Sequence, residues 1–195
     1  MIRLAVFASG QGTNCENLIR YFAQSNLAQV TLVLSNHTNA PVLERASRLH
    51  VEALSLDRQQ FSDAATLLPI LRYSRIDFIV LAGFLLMIPD FLIKAYDHRM
   101  VNIHPALLPK HGGKGMYGRH VHEAVKAAGD NTTGFTVHWV SPICDGGEII
   151  EQRSVGILPS DTVDDIASKE HELEMEYFPA IVEDILRRTY PTAKT

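Results

Sequence analysis

Short apolar runs alternate with stretches of helical spacing along most of this chain. Ile2 to Phe7 is apolar and breaks at the polar, glycine-bearing Ser9-Gly10-Gln11-Gly12-Thr13-Asn14, after which Leu18, Ile19 and Phe22 recur at helical spacing. That reads as strand, tight loop, helix. The unit repeats with Val30 to Leu34 as strand, Asn36 to Asn39 as turn and Val42 to Leu49 as helix, then with Val51 to Leu54 as strand and Phe61 to Leu71 as one helix. Ile76 to Ala82 is almost continuously apolar, which suits a strand buried on both faces near the centre of a parallel sheet. Pro89 to Tyr96 suits a helix with proline near its first turn, and Met100 to Ile103 a further buried strand.

The second half changes character. Lys110 to Arg119 is glycine-rich and aperiodic, His120 to Ala128 is helical, and Gly134 to Val140 alternates with Phe135, Val137 and Trp139 on one face. Glu148 to Val155 is expected to pair antiparallel with it across an Asp145-Gly146-Gly147 turn. From Asp161 a long amphipathic helix carries Val163, Ile166, Ala167, Tyr177, Phe178, Ile181 and Ile185, and Tyr190 to Thr195 are expected to fray. The fold class that follows is α/β: an open, mostly parallel twisted sheet with helices on both faces and an antiparallel addition near the C-terminal half.

The length of 195 residues allows one full core, so a single domain over 1–195 is expected, with a βα half over 1–100 and a second half over 101–189. A net charge of −4 offers no broad cationic field for nucleic acid. Two cysteines, Cys15 and Cys144, fit a reducing compartment. No signal-peptide layout or membrane-spanning run is present, so a cytoplasmic location without a membrane partner is expected.

Three loops could carry chemistry. The first glycine loop follows a strand and opens a helix, so its N–H groups could meet a single phosphate; equally, it could be a tight turn in which Asn14 caps the helix. Cys15 stands where a dinucleotide fingerprint would have its third glycine, which argues against a whole dinucleotide. Asn102 and His104 lie two residues apart at the carboxyl end of a buried strand and project to one side, where an amide and an imidazole aimed at one point can stabilise an oxyanion; buried structural roles are the commoner fate of such residues. Asp145 sits in a loop between two expected strands. A carboxylate beside an imidazole favours its charged, proton-donating form, although Asp-Gly-Gly is also a common turn. His120 and His122 point to different faces of a helix, and no metal site is expected from them. No GxSxG elbow supports a serine hydrolase, and a thiol at Cys144 beside Asp145 is a poor nucleophile.

Taken together, Ser9 to Asn14, Leu81-Ala82-Gly83-Phe84, Asn102-Ile103-His104-Pro105-Ala106-Leu107-Leu108-Pro109, Gly134 to His138 and Asp145 to Ile150 occur in the order found in the folate-dependent formyltransferase superfamily, which this chain resembles from residue 2 to about 186. The Ser-Gly-x-Gly-x-Asn loop narrows the resemblance to its glycinamide ribonucleotide branch. The resemblance implies a Rossmann-like fold and transfer of a formyl group from 10-formyltetrahydrofolate, a co-substrate, to the amine of glycinamide ribonucleotide in purine biosynthesis, without a metal. It implies His104 as general acid and oxyanion stabiliser, Asn102 as donor to the formyl oxygen, and Asp145 as the group that keeps His104 protonated. Gly12, Thr13 and Asn14 would hold the substrate phosphate, and Glu174 the ribose hydroxyls. Leu85, Leu86, Met87, Ile88, Ile143 and Cys144 would line the folate pocket with Asn102, largely through backbone groups, and Arg58 would stand near the substrate or the folate tail.

Leu86 replaces a family arginine, Glu148 replaces a frequent proline, and the Lys110 to Arg119 stretch is longer than usual, which suits either a lid hinged on glycines or a plain surface loop. The rival activities are hydrolysis of 10-formyltetrahydrofolate, formyl transfer to a sugar or tRNA, and a non-catalytic module binding a phosphorylated ligand. Moderately apolar helices are compatible with a homodimer.

Overall fold

The computed structural model describes residues 1–191. One seven-stranded sheet runs through it in the order β3-β2-β1-β4-β5-β6-β7. Its strands are β1 (Ile2–Phe7), β2 (Ala28–Ser35), β3 (Glu52–Ser55), β4 (Phe78–Ala82), β5 (Met100–His104), β6 (Thr132–Trp139) and β7 (Ile149–Gly156). β1 to β5 pair in parallel, and β6 and β7 add antiparallel to the β5 side. Among the described residues the helices are α1 (Thr13–Phe22), α2 (Pro41–Arg48), α3 (Arg58–Ser62), α4 (Ala64–Tyr73), α5 (Asp90–Ala95), α6 (Arg119–Ala128) and α7 (Val163–Thr189). The expected α/β class and the antiparallel addition are both observed.

The period-2 alternation of the strands sorts their side chains into two apolar layers. Leu4, Val6, Val80, Val101 and Ile103 join Leu18 and Phe22 of α1 and Phe178, Val182 and Leu186 of α7. Ala5, Phe7, Ile79, Leu81 and Met100 face the other way and meet Phe61 of α3, Leu67 and Leu71 of α4 and Leu92 of α5. β4 is buried at every position, as expected for the central strand. On β5, Asn102 and His104 alternate with Val101 and Ile103. They therefore point to the side that α3, α4 and α5 cover farther along the sheet, where loops take over from helices.

Beyond shifts of a residue or two at element ends, the structure departs from the sequence reading in four places. The helix expected over Phe61 to Leu71 is two helices, because Asp63 is extended and turns its carboxylate onto the Ala65 N–H and the Thr66 hydroxyl, capping α4. Pro89 is the extended residue before α5 rather than part of its first turn. The β6–β7 connection is a longer loop from Val140 to Glu148, not a tight turn at Asp145-Gly146-Gly147. Tyr190 is ordered at the end of α7, its hydroxyl donating to the Asp77 carbonyl at 2.9 Å, while the remainder of the expected fray, 192–195, lies outside the described residues.

Two local solutions hold the frame of the cleft. Gly12 has φ 74°, and a Cβ there would stand 2.3 Å from Val42 Cγ2, so only glycine lets the first loop lie against α2. Pro179, inside α7, has no N–H for the Met175 carbonyl four residues back, and the Asn17 side-chain amide of α1 donates to that carbonyl at 2.8 Å instead. Among the described residues no helix is long and apolar enough to cross a membrane.

Candidate active site

A cleft of ≈ 1090 Å³ opens at the carboxyl edge of the parallel strands. Its wall takes in the first glycine loop, Arg58 at the start of α3, Leu85 to Met87 after β4, the end of β5, Gly113 to Gly118, Cys144 and Asp145, and one stripe of α7. In an open α/β sheet this edge is where ligands are expected.

The structure brings Asn102, His104 and Asp145 together. His104 is 4% exposed, and its Nδ1 lies 3.5 Å from Asp145 Oδ2. Its Nε2 donates to the His111 carbonyl at 2.8 Å. A carbonyl only accepts, so Nε2 carries a hydrogen. The contact with Asp145 is then satisfied when Nδ1 carries one too, and leaves two acceptors opposed when it does not. Asp145 also accepts from the Gly113 N–H at 2.8 Å. Burial works against its charge, but the interaction with His138, the charge of His104 and the Gly113 N–H outweigh it and hold the carboxyl below its ordinary range. Asp145 itself has φ 53°, a left-handed conformation unusual outside glycine, and Gly147 is pressed so close to the Trp139 carbonyl that a Cβ would come within 1.7 Å of it.

His138 completes the cluster and was not singled out from sequence. It faces Asn102 across the β5–β6 register, and its Nε2 is 3.0 Å from Asn102 Nδ2. Its Nδ1 is 2.9 Å from the Trp139 carbonyl and must donate to it, so Nε2, which also lies 3.7 Å from Asp145 Oδ1, accepts from the Asn102 amide in the neutral ring and turns a hydrogen toward Asp145 in the charged one. In the neutral ring the amide is fixed and its second N–H is left free. The alternation of Phe135, Val137 and Trp139 drew attention to the other face of β6; the clue lay in Thr136 and His138, polar and alternating toward the end of β5. Thr136 supports the site from below, donating to the Ala106 carbonyl and accepting from the Leu108 N–H.

At the other end of the cleft, Gly12 is the N-cap of α1, and no side chain caps the free N–H groups of its first turn. The Asn14 side chain does not serve as that cap: its amide donates to Glu174 Oε2 at 2.8 Å. Glu174 is also 3.4 Å from His171 Nδ1, and this contact, ahead of an opposing burial effect, raises the His171 pKa. Ala167, Glu170, His171 and Glu174 recur at helical spacing on α7 and all reach the cleft. Glu170 and His122, neither assigned a role from sequence, belong to this wall and are buried.

Most of the expected folate-side residues, Arg58, Leu85, Leu86, Met87 and Cys144, are on the wall, but two are not. Ile88 is buried in the apolar layer beneath α5, because the chain turns inward there to begin that helix. Ile143 is 70% exposed at the tip of its loop, packed against Gly146, whose Cβ position would be 2.5 Å from Ile143 Cγ2. Leu86 packs on the same apolar layer as Ile88. Glu148 is exposed and receives the Trp139 N–H through its carbonyl, which a proline would supply equally. Among the described residues no group of three or more His, Cys, Asp or Glu side chains is arranged to hold a metal ion.

Comparison with known proteins places this geometry in context. The family model described as formyl transferase matches residues 2–182. A phosphoribosylglycinamide formyltransferase of Bacillus subtilis is 32% identical over 191 residues, covering 95% of this chain and 95% of its own length. A chloroplastic phosphoribosylglycinamide formyltransferase of Vigna unguiculata is 35% identical over 191 residues, and the match spans 61% of that longer protein. Among solved structures, a phosphoribosylglycinamide formyltransferase from Bacillus halodurans superposes with a TM-score of 0.87 at 32% identity, covering 99% of this chain and 100% of that one.

Proposed function

The chain belongs to the formyl transferase family, and from that premise we propose that it transfers the formyl group of 10-formyltetrahydrofolate to the amine of glycinamide ribonucleotide, a step of purine biosynthesis. The observation that carries the reading is the meeting of Asn102, His104 and Asp145, distant in sequence, at one end of a cleft whose other end is an uncapped helix N-terminus.

The phosphate sits on the N–H groups around Gly12 and Thr13, where the helix dipole and unpaired donors favour an anion. Asn14 contributes backbone there, its side chain being committed to Glu174, which receives the ribose hydroxyls. The formyl folate lies against Leu85 to Met87 and Cys144, with Arg58 toward the substrate or the folate tail. Holding both reactants in one cleft makes attack of the amine on the formyl carbon effectively unimolecular. The tetrahedral oxyanion is met by the free N–H of Asn102 and by the His104 imidazolium, whose charge Asp145 stabilises. Nε2 of His104 is held by the His111 carbonyl, so donation to the oxyanion requires that carbonyl to withdraw, and with it the loop from Lys110 to Arg119. This is the lid role.

Hydrolysis of the same folate is the rival to exclude. Purified protein with 10-formyltetrahydrofolate and glycinamide ribonucleotide should give formylated ribonucleotide and tetrahydrofolate in equal amounts, with negligible formate in the absence of the amine. Formate release independent of the ribonucleotide would sink the proposal in favour of the hydrolase. Binding of the ribonucleotide with no turnover would favour the silent module.

A further inference from the structure

Beneath Glu174 lies a second acid that the proposed chemistry does not use. Glu170, one helical turn earlier on α7, is 3% exposed, lines the cleft, and its Oε1 has no hydrogen-bond partner within the protein. Two neighbours on the same wall, His122 through Nδ1 and Asn14 through Oδ1, also present buried polar atoms without a protein partner. Buried polar atoms of this kind are rare, and three along one wall mark a surface built to be completed by a polar ligand. A buried carboxylate next to another carboxylate, without a cation paired to it, is among the costliest arrangements a protein can hold.

We propose that Glu170 is a positioning residue for the sugar of the substrate: one turn from Glu174 on the same face of α7, its carboxyl group donates a hydrogen bond to Glu174 and so fixes the Glu174 carboxylate for the vicinal hydroxyls of a ribose. The inference rests on the assignment of Glu174 to those hydroxyls. With the Asn14 amide and His171 Nδ1 on Oε2 of Glu174 and the Glu170 O–H against the same carboxylate, the lone pairs left over serve the sugar hydroxyls. The free Oε1 of Glu170 and Nδ1 of His122 extend the polar wall.

The electrostatics agree with this geometry. Burial, then the charge and hydrogen bond of Glu174, push Glu170 well above the ordinary carboxylate range. The groups that face the pair do not offset a second negative charge. On α7 itself His171 is engaged with Glu174. On α6, burial lowers the pKa of His122, while Arg119 is tied to Glu123 and Asp164. Asn14 of α1 is uncharged, and His104 at the end of β5 faces Asp145.

The test combines steady-state kinetics from about pH 6 to 9 with a direct reading of the proton. In the wild type, KM for glycinamide ribonucleotide should climb on the alkaline side as Glu170 loses its hydrogen, with kcat little changed. Glu170→Ala should raise KM about tenfold at neutral pH, the size expected for losing one hydrogen bond to a charged group. Glu170→Gln, which keeps an N–H donor but cannot ionise, should bring KM back to within about threefold and remove the alkaline rise. An alanine variant with unchanged KM, or a glutamine variant as impaired as alanine, overturns the proposal. In parallel, carboxyl-13C NMR of ligand-free protein, with the Glu170 signal assigned by its loss in Glu170→Gln, should show that carboxyl still protonated at pH 7. Titration in the ordinary range overturns the proposal whatever the substrate. If the wild type does not formylate the ribonucleotide, the functional reading fails, and the NMR result alone decides the state of Glu170.

Discussion

In the proposed mechanism His104→Ala removes a donor from the place where negative charge develops, and turnover should fall by about 10²- to 10³-fold. Asp145→Asn keeps an acceptor for the Gly113 N–H but loses the charge facing His104, and a comparable loss in kcat is expected. In both variants, binding of glycinamide ribonucleotide measured by calorimetry should stay near wild type, because the proposed mode puts its phosphate end across the cleft. Asp145 also leaves a signature in stability. Its carboxyl is depressed in the folded protein, so its contribution is present above the unfolded value of about 3.9 and is lost as pH falls through the depressed value. Urea midpoints of Asp145→Asn should therefore decline less steeply than wild type on the acid side. Asn102, His104 and Asp145 stood out in the sequence because each sits where a strand ends or a loop bends, but their spacing did not join them; the family resemblance did. His138 and Glu170 did not stand out: one shares a strand with apolar neighbours that dominate its alternation, and the other looks like one more polar position on an amphipathic helix until burial is known.

Helices and strands were readable wherever apolar spacing was the deciding force, and misread where a single polar side chain overrode it. Asp63 breaks one apolar stretch into α3 and α4 by capping, which brings Arg58 onto its own short helix at the cleft. The loop before β7 is long because Asp145 is needed inward, against Gly113 and His104, rather than at the tip of a turn. Pro179 is the reverse case, a helix breaker tolerated because α1 supplies the missing donor. Asn17→Ala should destabilise the protein by about 1 kcal/mol in urea unfolding. In a Pro179→Ala background the loss should be smaller, since the substituted residue regains an N–H for the Met175 carbonyl, and the double-mutant cycle should report that coupling.

At the scale of the whole molecule, one sheet carries both halves of the site. The first half supplies the uncapped helix start and the Leu85 to Met87 wall, and the second supplies the cluster at β5 and the polar stripe of α7. The loop over the cleft is tethered by Asp130, which pairs with Lys110 at 2.9 Å and with His111 at 2.7 Å. The hydrogen bond from His111, then that from Lys110, keeps the Asp130 carboxyl below its usual range, so the tether holds at neutral pH and weakens only in acid. Asp130→Ala should speed hydrogen exchange at the Gly113 amide and in the loop around it while leaving the amides of β4 protected; equal exchange in both proteins would mean that the tether does not govern the loop. The reversal of chain direction between β5 and β6 limits how this chain can change in length. Asn102 meets His138, and His104 meets Thr136, only in the observed register, and in a pleated strand a slip by one position swaps inside for outside. Deleting a single residue from β6 would carry both polar side chains into the oily layer and bring Phe135 and Val137 up beside the imidazole, so a change in chain length is tolerable only in the neighbouring loops, and the backward-running strand acts as the ruler of the cluster.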